Sequence, residues 1–258
     1  MTLHLVRLSV DLSALARAAG ERGWARQRGG TFDEGAALHH LLGETFGPAA
    51  LQPFKLSVAP RKRLGTLYAY TAEPPDALRD LVSATAMPEV VAALSPGRLE
   101  AKAMPATWTA GRRLGIDVRV RPVVRLASGL EAPDDRSGRR AHGFAKGAEV
   151  DAFLAEALRQ PERRAMAEAE RTREAVYCDW LRERLNEAAG LEDASLASFR
   201  RTSSVRNGKT HEGPDAVLHG TVRILDPEAF AVRLRRGVGR HKAYGYGMLL
   251  LRPPGPAR

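Results

Sequence analysis

The stretch Arg235-Arg236-Gly237-Val238-Gly239-Arg240-His241-Lys242-Ala243-Tyr244-Gly245-Tyr246-Gly247 sets four glycines among cations and aromatic rings, and runs into the apolar Met248-Leu249-Leu250-Leu251. Glycine permits positive φ and lets a backbone approach another chain closely. Successive backbone N–H groups in such a loop form a partly positive concavity suited to phosphate. Arg240 and Lys242 add full charges, and Tyr244 and Tyr246 offer faces on which bases stack. Taken alone, the same residues also fit a glycine-rich turn before a last strand. The surroundings decide between the two.

Those surroundings are basic. The chain has 258 residues, 40 Lys and Arg against 30 Asp and Glu, and a formal charge of +10. That surplus predicts a polyanionic partner, because cations that neutralise phosphates release condensed counterions. An apolar fraction of 44% is enough for a real core. No polybasic tail or apolar span of about 18 residues suggests a membrane partner. The start, Met1-Thr2-Leu3-His4-Leu5, does not read as a signal peptide. Cys178 is the single cysteine, which rules out an internal disulfide framework or a zinc site built mainly from cysteines. A cytoplasmic protein without cofactor or metal is the expectation.

Several elements must position the loop. Residues 2–11 alternate apolar and polar, a strand pattern. A short Ala-rich helix over 13–19 stops at Gly20, and the loop around Trp24 carries Arg22, Arg26 and Arg28. Asp33 caps a helix over 34–45, ended by Gly47-Pro48. Strands follow at 54–59 and 66–71, joined by the cationic turn of Arg61, Lys62 and Arg63. Helices over 76–84 and 88–94 and a strand over 98–104 complete a first half, with a boundary near Gly111. Past Arg112 and Arg113, the stretch 116–124 alternates again, with Arg119 and Arg121 on one face. A helix is expected over 149–159 and a long Ala/Glu/Arg-rich helical insertion over 161–189. Then come a strand over 194–206 bearing Arg200 and Arg201, a turn at 207–209, a strand over 216–225, a helix over 226–235, the glycine loop and a last strand. Each half reads as βαββαβ. The fold class is therefore α+β, two tandem ferredoxin-like domains over 1–111 and 112–258.

With these elements in place, the stretch Gly237-Val238-Gly239-x-x-Lys242-Ala243-x-Gly245-x-Gly247-Met248-Leu249-Leu250 resembles the C-terminal glycine-rich motif of the CRISPR repeat-processing endoribonucleases, best those of the CasE/Cse type. Also similar to that family are Arg173-Glu174-Ala175-Val176-Tyr177-x-x-Trp180-Leu181, Ser198-Phe199-Arg200-Arg201-Thr202, and Gly220-x-Val222-x-Ile224-x-Asp226-Pro227-x-x-Phe230. Related processing nucleases of type IV systems share the architecture. In the first half the likeness rests on Leu38-His39 and Phe46.

The resemblance implies cleavage of CRISPR repeat RNA at a stem-loop, without a metal, by attack of a ribose 2′-OH on the adjacent phosphate. It implies the repeat RNA and other subunits of an effector complex as partners. The family's histidine falls on His39, and a histidine suits either proton role because its unperturbed pKa is about 6.5. His40 points about 100° away on the same helix, and His241 competes for the role. Many members carry a tyrosine three residues before the histidine, where this chain has Ala36. The work of that hydroxyl falls to Tyr244, Tyr246 or an arginine set of Arg22, Arg26 and Arg28. Lys242 matches the family's loop cation, for phosphate contact or transition-state charge. Gly237, Gly239, Gly245 and Gly247 shape the backbone for close RNA approach. Arg61, Lys62, Arg63, Arg112, Arg113, Arg119, Arg121, Arg200, Arg201 and Arg240 are candidate groove contacts. A subunit that binds the stem-loop without cutting it is the alternative.

Overall fold

The computed structural model describes residues 2–24, 32–85, 87–131, 143–159, 171–206 and 209–255. In the first half, β1 (His4–Asp11) leads to helices α1 (Leu12–Arg22) and α2 (Glu34–Phe46), then to β2 (Phe54–Val58) and β3 (Leu64–Thr71). Helices α3 (Pro75–Thr85) and α4 (Pro88–Leu94) return the chain to β4 (Glu100–Ala103). The sheet order is β2-β3-β1-β4, with its neighbours antiparallel. That is the ferredoxin-like order, with each crossover doubled into two helices. Asp11 caps α1 by accepting from the Ser13 and Ala14 N–H groups, and Asp33 caps α2 by accepting from Ala36 N. Each side chain satisfies donors that a helix start leaves without an intrahelical partner.

The second half contains β5 (Arg113–Val120), β6 (Val123–Arg125), β7 (Glu149–Asp151), α5 (Ala152–Arg159), α6 (Arg173–Leu185), β8 (Ala189–Arg206), β9 (Lys209–Ile224), α7 (Pro227–Arg236) and β10 (Leu250–Arg252). Its sheet runs β10-β5-β9-β8, the same topology as the first. The strands change sheet between Ala103 and Arg113.

Three local expectations change. The helix expected to stop at Gly20 runs through it to Arg22 and is closed instead by Gly23 at positive φ. The helix anticipated from 149 starts at Ala152, because Glu149–Asp151 pair with Val123–Arg125 as a two-stranded ribbon. Of the helical insertion expected over 161–189, residues 160–170 lie outside the described set. Residues Arg173–Leu185 form α6, which buries Val176, Tyr177, Trp180, Leu181 and Leu185 in the second core. Helix α6 is thus the crossover helix that the fold itself requires between β5 and β8. What is added is the β6–β7 ribbon and α5. Composition alone could not separate the two, since a crossover helix with a charged outer face looks like an arm.

Period-2 alternation fixes which face of each sheet meets helices. Val6, Leu8, Val10, Phe54, Leu56, Leu67 and Ala69 pack with α1 to α4. Ile116, Val118 and Val120 pack with α6 and α7. The opposite faces turn towards each other. Leu3, Leu5 and Tyr68 of the first sheet pack on the second core, and the fully buried Tyr70 donates its hydroxyl to Leu249 O at 3.0 Å. Lys55 reaches from β2 to Asp117 on β5, and His219 Nε2 lies 3.5 Å from the same carboxylate. Burial lowers the Lys55 pKa, while the Asp117 hydrogen bond and charge oppose that shift.

A buried charge stripped of its partner costs more than the pair contributes. Asp117→Asn should therefore lower stability by about 3 kcal/mol, whereas the double change Lys55→Met with Asp117→Leu should recover most of the loss. Thermal melts of the two variants check this; equal destabilisation by both would refute it.

Candidate RNA-binding and cleavage site

The glycine loop fills the seam between the sheets. Its backbone turns through positive φ at Gly237, Gly239, Gly245 and Gly247, and at His241. The room left by the missing side chains is taken by protein. A Cβ on Gly245 would sit 3.0 Å from Phe54 Cε2, and one on Gly239 would sit 2.7 Å from Trp180 Cη2. The loop is thereby seated on β2 of the first domain and on α6 of the second. From the ribbon, Glu149 holds its outer side, with Arg240 Nε at 2.5 Å and His241 Nε2 at 3.2 Å.

This seating delivers Tyr244 to α2. A Cβ on Gly35 would lie 2.6 Å from Tyr244 O, so α2 accepts the loop only because residue 35 has no side chain. One turn further along the helix, His39 faces the Tyr244 ring, centroid to centroid 5.0 Å. His39 is half-buried and His40 exposed. Ala36 is buried and offers no hydroxyl. Tyr246 is also buried, with Arg119 4.6 Å and Arg121 5.8 Å from its ring centre. Of the two loop tyrosines, Tyr244 is therefore the one beside the histidine.

Beside this pair, a cleft of about 400 Å³ opens between the start of α2, the β8–β9 ribbon and the loop. Arg119, Arg200 and Arg201 line it. Its charge is organised by Asp215, only 3% exposed, whose carboxylate accepts from Arg119 Nε at 2.8 Å, Arg119 Nη2 at 2.7 Å and Arg200 Nε at 2.9 Å. Burial alone would raise the Asp215 pKa. The two guanidiniums outweigh it and hold the carboxyl below the usual carboxylate range. Burial raises the Glu34 pKa, with Arg119 and Arg200 opposing.

On the other side of the loop, Lys242 is pushed below the ordinary lysine value by burial first, then by Arg233 and Arg236 at the end of α7. None of these three cations has an ion-pair partner among the described residues. Like charges crowded without a carboxylate favour an arriving anion. Arg233 carries no signal in the sequence beyond its place in the last turn of α7, and Arg236 stood out only as part of the glycine-rich stretch.

The remaining candidates sit elsewhere. Arg22 is held by Glu44 and Glu89 and lies 4.9 Å over Trp24, so its charge is committed. Arg26 and Arg28 fall outside the described residues. Arg61, Lys62 and Arg63 occupy an exposed turn at the far end of β2 from Phe54, about 17 Å of strand away. Arg112 is exposed beyond the start of β5, and Arg113 bonds Glu192 at 2.6 Å, also remote from Arg119. Arg121 is 3% exposed and underlies the site. Asp215 was missed in the sequence, where a lone aspartate in a strand carries no signal until its register opposite Arg200 is known. Among the described residues, no group of three or more His, Cys, Asp and Glu could hold a metal ion, and no helix is long and apolar enough to cross a membrane.

A pair of ferredoxin-like domains with a histidine, a tyrosine and flanking cations at the seam defines the class: a tandem-domain protein with a cationic interdomain site. The family model described as CRISPR associated protein matches residues 3–253, and the chain belongs to that family. Among solved structures, it is similar to the Cse3 of Thermus thermophilus bound to an RNA representing a pre-cleavage complex, at 18% identity and TM-score 0.60 over 98% of this chain and 100% of that one. It is similar as well to Cas6e from Escherichia coli str. K-12, at 18% identity and TM-score 0.57 over 97% and 99% of the two chains. At such identity the likeness establishes the tandem ferredoxin-like fold. No curated protein matches the chain.

Because the Asp215 pKa is depressed in the folded state, its contribution to stability is present above the unfolded pKa and is lost as pH falls through the folded one. Asp215→Asn should cost about 3 kcal/mol at neutral pH, and melts between pH 7 and pH 3 should show a smaller acid loss than wild type. An unchanged acid profile would contradict the assignment.

Proposed function

We propose that the protein is an endoribonuclease that cuts CRISPR repeat RNA at the base of a stem-loop without a metal and stays on the product as a subunit of an effector complex. The observation that carries this reading is His39 facing Tyr244 across the domain seam, between the Arg119–Asp215–Arg200 cleft and the Lys242 cluster. Family membership supports it, as do the similar structures named as the endoribonuclease Cse3 bound to RNA.

In this mechanism the 2′-oxygen bonds to phosphorus while the bond from phosphorus to the 5′-oxygen breaks. A proton leaves the 2′-OH and one arrives on the 5′-oxygen, giving a 2′,3′-cyclic phosphate and a 5′-OH. His39 carries out proton transfer at a reacting oxygen, a role worth about 10²–10⁴ in rate. Tyr244 supplies the hydroxyl that orients the ribose, in place of one at position 36. Lys242 meets the charge that develops on the phosphorane. Arg119, Arg200 and Arg201 contact the backbone of the bound RNA, whose duplex is recognised by shape and phosphates. Asp215 keeps the first two arginines aligned.

Incubation with the cognate repeat RNA in EDTA should give one discrete cut. Intact RNA, or a requirement for magnesium, would refute the metal-free reaction, and tight binding without any cut would leave a purely RNA-binding subunit. His39→Ala should slow single-turnover cleavage by about 10²-fold or more with little change in binding. Since the Lys242 pKa is lowered in the free protein, its charge is lost sooner as pH rises than that of an ordinary lysine. RNA affinity should fall on the alkaline side in wild type and less so in Lys242→Gln, as filter binding across that range will show.

A further inference from the structure

His39 and its loop partner leave one adjoining space without a role. A second cleft, of about 460 Å³, is lined by His39 and His40. It is mostly apolar, walled by Phe54 and Ala243, with His40, Gln52 and the Arg22-paired Glu44 among its polar side chains. Its size lies within the range of small-ligand sites. Two features suggest that it is built to receive something.

The first is the bracing of His40. Its exposed ring stacks on Trp24, with centroids 5.6 Å apart and planes 22° apart, and lies 5.3 Å from the His39 ring. Trp24 is in turn covered by Arg22, which Glu44 and Glu89 hold. Four side chains are thus committed to fixing one surface imidazole beside the reacting histidine. The second feature is Gly43. It stands one turn from His39 inside α2, where glycine lowers helix propensity. A Cβ there would meet nothing within 4 Å. Gly20 inside α1 is equally open, so the glycine alone signals nothing; Gly43 differs in bordering this cleft, into which a larger side chain would project.

The chemistry supplies an occupant. Attack by a 2′-oxygen needs that oxygen, phosphorus and the leaving 5′-oxygen nearly in line, a geometry that continuous base stacking opposes. The nucleotide on one side of the scissile phosphate must swing out, and an unstacked base needs an aromatic or apolar resting place. Resting on the function proposed above, we infer that the cleft between His40, Gly43 and Phe54 binds the base of the nucleotide immediately 3′ of the scissile phosphate. Its π-face lies against His40, and Gln52 is positioned for its polar edge. The site thereby holds the leaving nucleotide in the orientation for in-line displacement. His40 is a positioning residue.

The test is a two-by-two comparison in single turnover: wild type and Gly43→Leu, each with the natural repeat RNA and with the same RNA made abasic at the nucleotide 3′ of the cut. Wild type should cut the abasic RNA about tenfold more slowly, the lower end of what one base–aromatic stack contributes. Gly43→Leu should cut natural RNA about as slowly and lose little more on abasic RNA, because variant and abasic site remove the same contact. Stem-loop affinity should stay within about twofold, and the melting temperature should be unchanged or higher, since leucine improves the helix. Equal wild-type rates on the two RNAs, or a full rate for Gly43→Leu, would overturn the inference while leaving the function standing. Failure of wild type to cut natural RNA would overturn both.

Discussion

The seating of the glycine loop between the domains is the constraint from which the site follows. The loop is short of space on every side. Gly247 has Val238 O where a Cβ would be, at 2.1 Å, and Gly245 has the Phe54 ring. At positive φ, a residue other than glycine would add backbone strain to these collisions. Because the loop cannot move away from β2 or α6, Tyr244 cannot move away from α2. A contact between residues 39 and 244, far apart in the chain, is therefore held by packing inherited from two separate cores. Proton transfer and phosphate positioning need such rigidity, since small displacements of reacting groups cost large factors in rate.

Electrostatics then divides the arginines into those that are spent and those that are free. Arg22 and Arg173 are neutralised by Glu44 with Glu89 and by Asp151 respectively, while Arg113 and Arg223 share Glu192. Arg119 and Arg200 share the Asp215 carboxylate, in a cleft that Asp33 and Glu34 also line. Arg233, Arg236 and Lys242 have no carboxylate among the described residues. Among the described residues, uncompensated positive charge thus gathers beside the loop at Arg233, Arg236 and Lys242, where a polyanion would be steered.

Much of this was legible in the sequence, for identifiable reasons. The alternation in 116–121 put Arg119 on the face opposite Ile116 and Val118, and the cap at Asp33 marked the start of α2. What stayed hidden depends on register and three-dimensional approach. The pairing of Arg200 with Asp215 on the neighbouring strand follows two bulges in β8, which no local pattern announces. The glycines read as room for a ligand, whereas their missing side chains are replaced by Phe54, Trp180 and backbone of the chain itself. A glycine signals close approach without saying to what.

The same reasoning separates two kinds of glycine around His39. Gly35 is forced by the protein, because Tyr244 O occupies its side-chain position. Gly43 is forced by nothing in the protein, and it borders an open, apolar cleft. Both lie on the helix that carries the histidine, one a turn before it and one a turn after. On one side α2 has given up a side chain to admit the loop of the second domain. On the other it has given one up with no protein group to fill the gap. An open glycine does not by itself mark a ligand, since Gly20 inside α1 is equally unobstructed; what distinguishes Gly43 is its place in the cleft next to His39, on the path of the RNA strand under the proposed function.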